Sequence, residues 1–264
     1  MYKPLPVSVS PRTFYNVIRA FAALDDLQVP AAISRPESCG SSSRGSSRDD
    51  HGRSARVLGC YAGVGGSVCR GRRLITMNLL HRCICGSSIW KNFLENRLVP
   101  WTLDGVSLGA NVLEIGPGPG AVTTLLLPRV PRLTCVEKDQ RLAKSLRRRM
   151  NGQNVSVLCE DATATSLPSG AFDSAVCFTM LHHVPSPALQ DRLLAETARV
   201  LRPGGIFAGA DSLYNKVFGL LHVFDTMVMI DPTTFPRRLE AAGFRDIDVD
   251  LMKPHAFRFR ARKA

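Results

Sequence analysis

A chain of 264 residues, with 45% hydrophobic and 21% charged side chains and a mean hydropathy near zero, can bury one substantial core, which excludes a wholly disordered protein. No run of about eighteen apolar residues occurs; the nearest approach, residues 217–230, is broken by His222 and Asp225, which argues against a spanning helix. The net charge of +12 favours anionic partners, and half of it sits in residues 1–76, where 11 basic side chains face 5 acidic ones.

Near the N-terminus, residues 11–27 carry Phe14, Val17, Ile18, Phe21 and Leu24 at helical spacing. No acid precedes Asp25, whereas Lys3, Arg12 and Arg19 do, a weak likeness to a mitochondrial transit peptide. Residues 34–73 are dominated by Ser, Gly and Arg, with too few large apolar side chains to offset ordering entropy. Residues 1–76 therefore read as a largely disordered basic extension, and residues 77–264 as one domain.

The eight cysteines include no Cys-x-x-Cys, and Cys83 and Cys85 lack a partner pair, so no metal site is expected. Cys135, Cys159 and Cys177 fall in apolar runs where free thiols pack as small hydrophobes, which suggests a reducing, cytoplasmic setting.

Within the domain, Ser87 or Ser88 caps a helix through Trp90, Phe93 and Leu98, expected to end at Pro100. Residues 111–115 read as a buried strand, followed by a glycine-rich turn and a helix with Val122, Leu125 and Leu126. Residues 132–137, 155–159, 172–178 and 206–210 give four more strands. Helices run to Met150 and over residues 187–201, the latter stopped by Pro203-Gly204-Gly205. Such alternation predicts an α/β, doubly wound, mostly parallel sheet. After a helix over residues 235–242, strands at 247–252 and 256–262 are joined by only Lys253-Pro254-His255, too short for a parallel crossover. The sheet therefore ends with a reversed last strand.

In such sheets ligands bind beyond the carboxyl ends of the strands, at the switch in strand order, here the turn Glu114-Ile115-Gly116-Pro117-Gly118-Pro119-Gly120-Ala121. Its glycines let the backbone approach a ligand where a Cβ would collide. Glu137 ends the second strand, a position suited to ribose hydroxyls; Asp161 follows the third, where it can accept from an exocyclic amine while Ala162 lines the base. Gly116, Gly118 and Ala121 also satisfy a dinucleotide fingerprint. Glu114 opposes that reading, since a carboxylate beside a pyrophosphate repels it and one beside a sulfonium and an ammonium attracts them. A turn-bracing role is its plain alternative.

These residues carry a resemblance. The stretch from Val112 to Gly120 resembles the first motif of class I S-adenosylmethionine-dependent methyltransferases, acid-x-Gly-x-Gly-x-Gly. Glu137, then Phe172-Asp173-Ser174-Ala175-Val176 with Leu181-His182-His183-Val184, then Arg199-Val200-Leu201-Arg202-Pro203-Gly204-Gly205 resemble its later motifs, in the same order. The likeness, closest to the small-molecule, type 11-like members, covers about Met77 to the C-terminus and implies the family's seven-stranded Rossmann-like fold. It further implies S-adenosylmethionine as methyl donor, with Glu114, Gly116, Gly118 and Gly120 around its methionine part, Glu137 at the ribose, and Asp161 and Ala162 at the adenine.

Methyl transfer from a sulfonium is an in-line displacement that needs positioning more than covalent catalysis. Where the acceptor must lose a proton, the candidates are His182, His183, Asp211, Tyr214 and His222, each with a plain reading as a loop, capping or packing residue. Residues 217–230 are more apolar than one buried helix face requires; with the Trp90 and Phe93 helix they are expected to wall a site for an apolar or aromatic small molecule. The alternatives are an RNA-directed methyltransferase and a non-catalytic S-adenosylmethionine-binding regulator. Against RNA, Phe178-Thr179-Met180-Leu181 lacks the Asn-x-Pro-aromatic element that RNA adenine dimethyltransferases use to clamp a flipped base.

Overall fold

The computed structural model describes Cys85, residues 87–222 and residues 225–264. The expected N-terminal extension, with its amphipathic and transit-like stretches, lies outside the described residues.

Helix α1 (Ser88–Phe93) starts where the Ser87 hydroxyl accepts the Trp90 N–H at 3.2 Å. It does not stop at Pro100. A π turn over Leu94–Leu98 leads directly into α2 (Val99–Leu103), which holds Pro100 in its first turn. Proline needs no N–H acceptor at a helix start, and the widened turn before it relieves the clash that a regular helix would suffer.

Strands β1 (Asn111–Ile115), β2 (Arg132–Val136), β3 (Val155–Leu158), β4 (Phe172–Phe178), β5 (Leu201–Ser212), β6 (Phe244–Met252) and β7 (Ala256–Lys263) form one sheet in the order β3-β2-β1-β4-β5-β7-β6. The first five pair in parallel, with Leu113 opposite both Thr134 and Ala175. β7 is antiparallel to β5 and to β6, so the expected reversed strand is the last in sequence but not at the sheet edge.

Between the strands lie α3 (Ala121–Leu126), α4 (Gln140–Arg149), α5 (Pro187–Val200), α6 (Lys216–Leu221) and α7 (Phe235–Ala241). Side chains alternate across β1, which divides the core into two layers. Val112 packs with Leu98, Leu126, Cys135 and Leu146 on one face; Leu113 and Ile115 pack with Leu193, Phe207 and Phe259 on the other.

β5 begins at Leu201, five residues before the expected start. Phe172 pairs with Leu201, and the register then shifts before Ser174 meets Ile206. The Pro203-Gly204-Gly205 turn lies inside that irregularity, where a residue without an N–H does least damage to the ladder. The stretch expected as one apolar helix also differs. α6 ends at Leu221, and residues 226–230 follow with no regular helix.

Candidate functional site

The β1–β2 ladder continues one step into the glycine turn, where the Gly116 N–H donates to the Val136 carbonyl at 2.9 Å. Gly116 has φ +64°, and a Cβ there would run into the Met180 side chain. Gly118 has φ +54°, yet no atom lies within 4 Å of the place its Cβ would take. The loop is thus closed under Gly116 by Met180, from the end of β4, and open over Gly118. Gly120 precedes α3. The loop is braced by Arg149, whose guanidinium donates to the Pro119 carbonyl.

Glu137 is buried just past β2. Its Oε2 accepts the Gly118 N–H at 2.9 Å and its Oε1 the Asp139 N–H at 2.8 Å. Burial raises its carboxyl above the ordinary value, while those backbone donors pull the other way. Each oxygen keeps a lone pair for a further donor. Asp161 stands beyond β3 and pairs with Lys138 at 2.6 Å; its Oδ1 also accepts from the Thr163 N–H and hydroxyl. Burial raises Asp161, but these hydrogen bonds and the lysine charge outweigh it and hold the carboxyl below its usual value. Ala162 packs against the layer that contains Leu113 and Ile115.

Glu114 points away from the loop mouth. It is 2% exposed beneath α3, with its Oε2 accepting from the Thr123 hydroxyl at 2.7 Å and from the Cys135 thiol at 3.4 Å. Burial pushes its carboxyl up to about 7, the nearby Glu137 adding to the rise and the Thr123 and Cys135 hydrogen bonds opposing it. These contacts brace the strand end against α3 and β2.

At the carboxyl ends of β4 and β5 a second group forms. Thr179 takes φ +47°, a conformation uncommon for a β-branched residue, and its N–H donates to Ala210 at 2.7 Å. The chain then turns through Leu181–His183. His182 and Asp211 are each 1% exposed, with His182 Nδ1 at 2.5 Å from Asp211 Oδ1. Asp211 also accepts the backbone N–H groups of His182 at 3.2 Å and Ser212 at 2.6 Å. His183 and His222 join them, with ring centroids 4.2 Å and 5.1 Å from that of His182. Phe218 meets His182 edge-on and packs tilted against His222. The structure therefore brings together four of the five candidates for proton handling. Tyr214, 63% exposed, lies before α6 with its ring beside Gly219.

Gln190 had escaped notice. Its amide donates to the carbonyls of Leu181 at 3.0 Å and Val228 at 2.8 Å, and Val228 returns an N–H to His182 at 2.7 Å. This sews residues 226–230 to the histidine turn. A polar residue inside an otherwise amphipathic helix was the one signal available. Trp90 and Phe93, expected to wall the acceptor site, pack into the layer that contains Val112, Phe178 and Ala210, with Phe93 buried in it.

The sequence matches a family described as the methyltransferase domain over residues 113–209. It is 37% identical over 82 residues to ribosomal RNA small subunit methyltransferase A of Fusobacterium nucleatum, covering 29% of this chain and 31% of that protein. It is 24% identical over 165 residues to ubiquinone biosynthesis O-methyltransferase of Coxiella burnetii, covering 56% of this chain and 68% of that protein. The fold is similar to that of phosphoethanolamine N-methyltransferase 2 of Haemonchus contortus, solved with phosphomonomethylethanolamine and S-adenosylhomocysteine. There the TM-score is 0.53 at 14% identity, over 63% of this chain and 51% of that one. The chain thus spans under a third of the ribosomal relative and about half of the Haemonchus protein. The domain match runs from β1 into β5, so residues 113–209 carry a methyltransferase domain, and the sheet around it has the fold of the solved methyltransferases.

Proposed function

We propose that this protein transfers the methyl group of S-adenosylmethionine to a small, apolar or aromatic molecule. The observation that carries the reading is the loop opened at Gly118 and facing Glu137, a cradle whose free side has room for a ligand and whose rim is acidic. When bound, the cofactor supplies an electrophilic methyl on a sulfonium. Gly116, Gly118 and Gly120 present backbone to its methionine part, the spare lone pairs of Glu137 take the ribose hydroxyls, and Asp161 and Ala162 face the adenine. Glu114 acts through charge rather than contact, since an ionised carboxylate below the loop favours a cation above it.

The acceptor enters over the ends of β4 and β5. Half-buried Met180, Met227, Val228 and Met229 border the histidine group there, and flexible thioether side chains adapt to apolar ligands. The relative that acts in ubiquinone biosynthesis is matched over 68% of its length and the ribosomal one over 31%, which supports the small molecule over RNA. So does the use made of arginines. Arg149, Arg199, Arg202, Arg238 and Arg258 are all engaged with carbonyls or carboxylates of the protein, which leaves them poorly placed as phosphate contacts.

The test is calorimetric titration of S-adenosylmethionine and S-adenosylhomocysteine into the full chain, followed by transfer of a labelled methyl from that cofactor in a cell extract. Micromolar binding with label in organic-extractable products is expected. Absence of binding refutes the cofactor assignment, and label in RNA refutes the acceptor class.

A further inference from the structure

We infer that His182, His183 and His222 form a binding site for a divalent transition-metal cation of the zinc class, with Asp211 as the carboxylate that orients one ligand. Each ring has one nitrogen that already has an oxygen partner. His182 Nδ1 contacts Asp211 Oδ1 at 2.5 Å, His183 Nδ1 the Thr226 carbonyl at 3.2 Å, and His222 Nδ1 the Phe218 carbonyl at 2.8 Å. A carbonyl or carboxylate oxygen only accepts, so Nδ1 is the protonated nitrogen in each ring. Each neutral imidazole then carries its lone pair on Nε2. Metal-binding histidines are fixed in this way, the outer nitrogen donating to a carbonyl or carboxylate while the inner one ligates.

The rings are also close enough. One nitrogen from each histidine lies within 4.8 Å of the other two. Ligands about 2.0–2.1 Å from a tetrahedral zinc ion stand roughly 3.4 Å apart, so the rings need to draw in by little more than an ångström at most. His182 Nε2 is buried with no hydrogen-bond partner among the described residues, a cost that a bound cation removes. Backbone and side-chain bonds from Gln190 and Val228 hold the turn in place without any metal.

The donor set selects the ion. Imidazole nitrogens suit zinc, cobalt, nickel and copper, whereas magnesium and calcium require oxygen ligands. The cysteine spacing that argued against a metal is irrelevant to this site, because no cysteine takes part. Three protein ligands leave a fourth position open, as in zinc sites that bind substrate rather than only stabilise a fold. That position takes a lone-pair donor of the acceptor, and this last point alone rests on the methyl-transfer reading.

The experiment uses the full, tag-free chain stripped with a chelator and titrated with zinc(II) by calorimetry, and with cobalt(II) by visible absorption. One ion per chain and ligand-field bands of nitrogen-ligated, four- or five-coordinate cobalt are expected. His183→Ala and His222→Gln should each weaken zinc binding at least a hundredfold, and Asp211→Asn by about 10–100-fold, while His255→Ala, outside the group, leaves it unchanged. Far-UV dichroism checks each variant, and the cobalt spectrum of the native chain decides the matter should a variant fail to fold. No stoichiometric binding, octahedral oxygen-type cobalt spectra, or equal affinity in the folded histidine variants overturns the site. S-adenosylmethionine binding is measured separately, so failure of the methyltransferase reading leaves the metal result standing.

Discussion

Replacing Glu114 with glutamine tests whether a buried, proton-holding carboxyl lies under the cofactor loop. Its carboxyl is raised from an ordinary value of 4.5 to about 7 because strand and helix exclude water from it. In the unfolded chain the group ionises near 4.5, so between that pH and 7 the folded state binds more protons than the unfolded one. The contribution of Glu114 to stability is therefore greatest below pH 4.5, falls as pH rises through the window, and is flat above about 7. The loss across the window is about 3 kcal/mol, equivalent to roughly 6–12 °C in Tm for a domain of this size. Glu114→Gln keeps the shape and an acceptor for the Thr123 hydroxyl but cannot ionise. Urea unfolding of both proteins from pH 4.5 to pH 8 should show the variant gaining about 3 kcal/mol relative to the native chain as pH rises. Parallel profiles would refute the reasoning, since other carboxylates titrate alike in both proteins. A linked result is release of a proton when a cationic cofactor binds near pH 7, visible as a dependence of calorimetric enthalpy on buffer.

The other predictions concern the loop and its supports. Gly118→Ala meets no atom within 4 Å and strains only the φ of +54°, so it should cost about 1–2 kcal/mol in urea unfolding yet lower S-adenosylmethionine affinity more than tenfold. Gly116→Ala adds a collision with Met180 and should destabilise by clearly more; unchanged cofactor affinity in Gly118→Ala would disprove the cradle. Asp173→Ala leaves the N–H groups of Ala110 and Asn111, now bonded at 2.8 and 2.9 Å, without their acceptor; about 1–3 kcal/mol is expected in denaturant unfolding. Hydrogen bonds from Arg199, with further ones from Thr165, hold the Glu196 carboxyl down at about 2. Because its folded value lies below its unfolded 4.5, the stability that it adds is present above 4.5 and lost as pH falls towards 2. Glu196→Gln should flatten that part of an acid-unfolding curve followed by dichroism.

What could be read before the structure was whatever depends on neighbours in sequence. Strand and helix alternate visibly because each buries a face with its own period, and three residues between the last two strands leave room only for a reversal. Pro100 misled because proline was weighed as a stop and not as a first-turn residue after a widened turn. Residues 217–230 misled for a different reason: an apolar run without clear period says that a segment is covered, not that it is helical. Here part of the covering comes from Gln190 and His182, which satisfy the Val228 backbone in place of a helical ladder. Leu201 became a strand residue because Phe172 pairs with it, a contact across 29 positions that no local pattern encodes.

The same distinction separates the two halves of the site. The proposed cofactor side is written within single turns, since Gly116, Gly118 and Glu137 need only the ends of two adjacent strands to meet. The proposed acceptor side is assembled from the ends of β4 and β5 and from the end of α6, so His182, Asp211 and His222 meet only once the sheet is formed. Each of those residues has a plain reading alone; their meaning lies in the pairing of three outer nitrogens with three oxygen acceptors. A fold shared among many methyltransferases can keep the first half nearly constant and change the second by altering one short helix and the loop after it. It follows that the reaction of this chain has to be argued from residues 181–183, 211, 216–222 and 225–230, where the geometry carries the information.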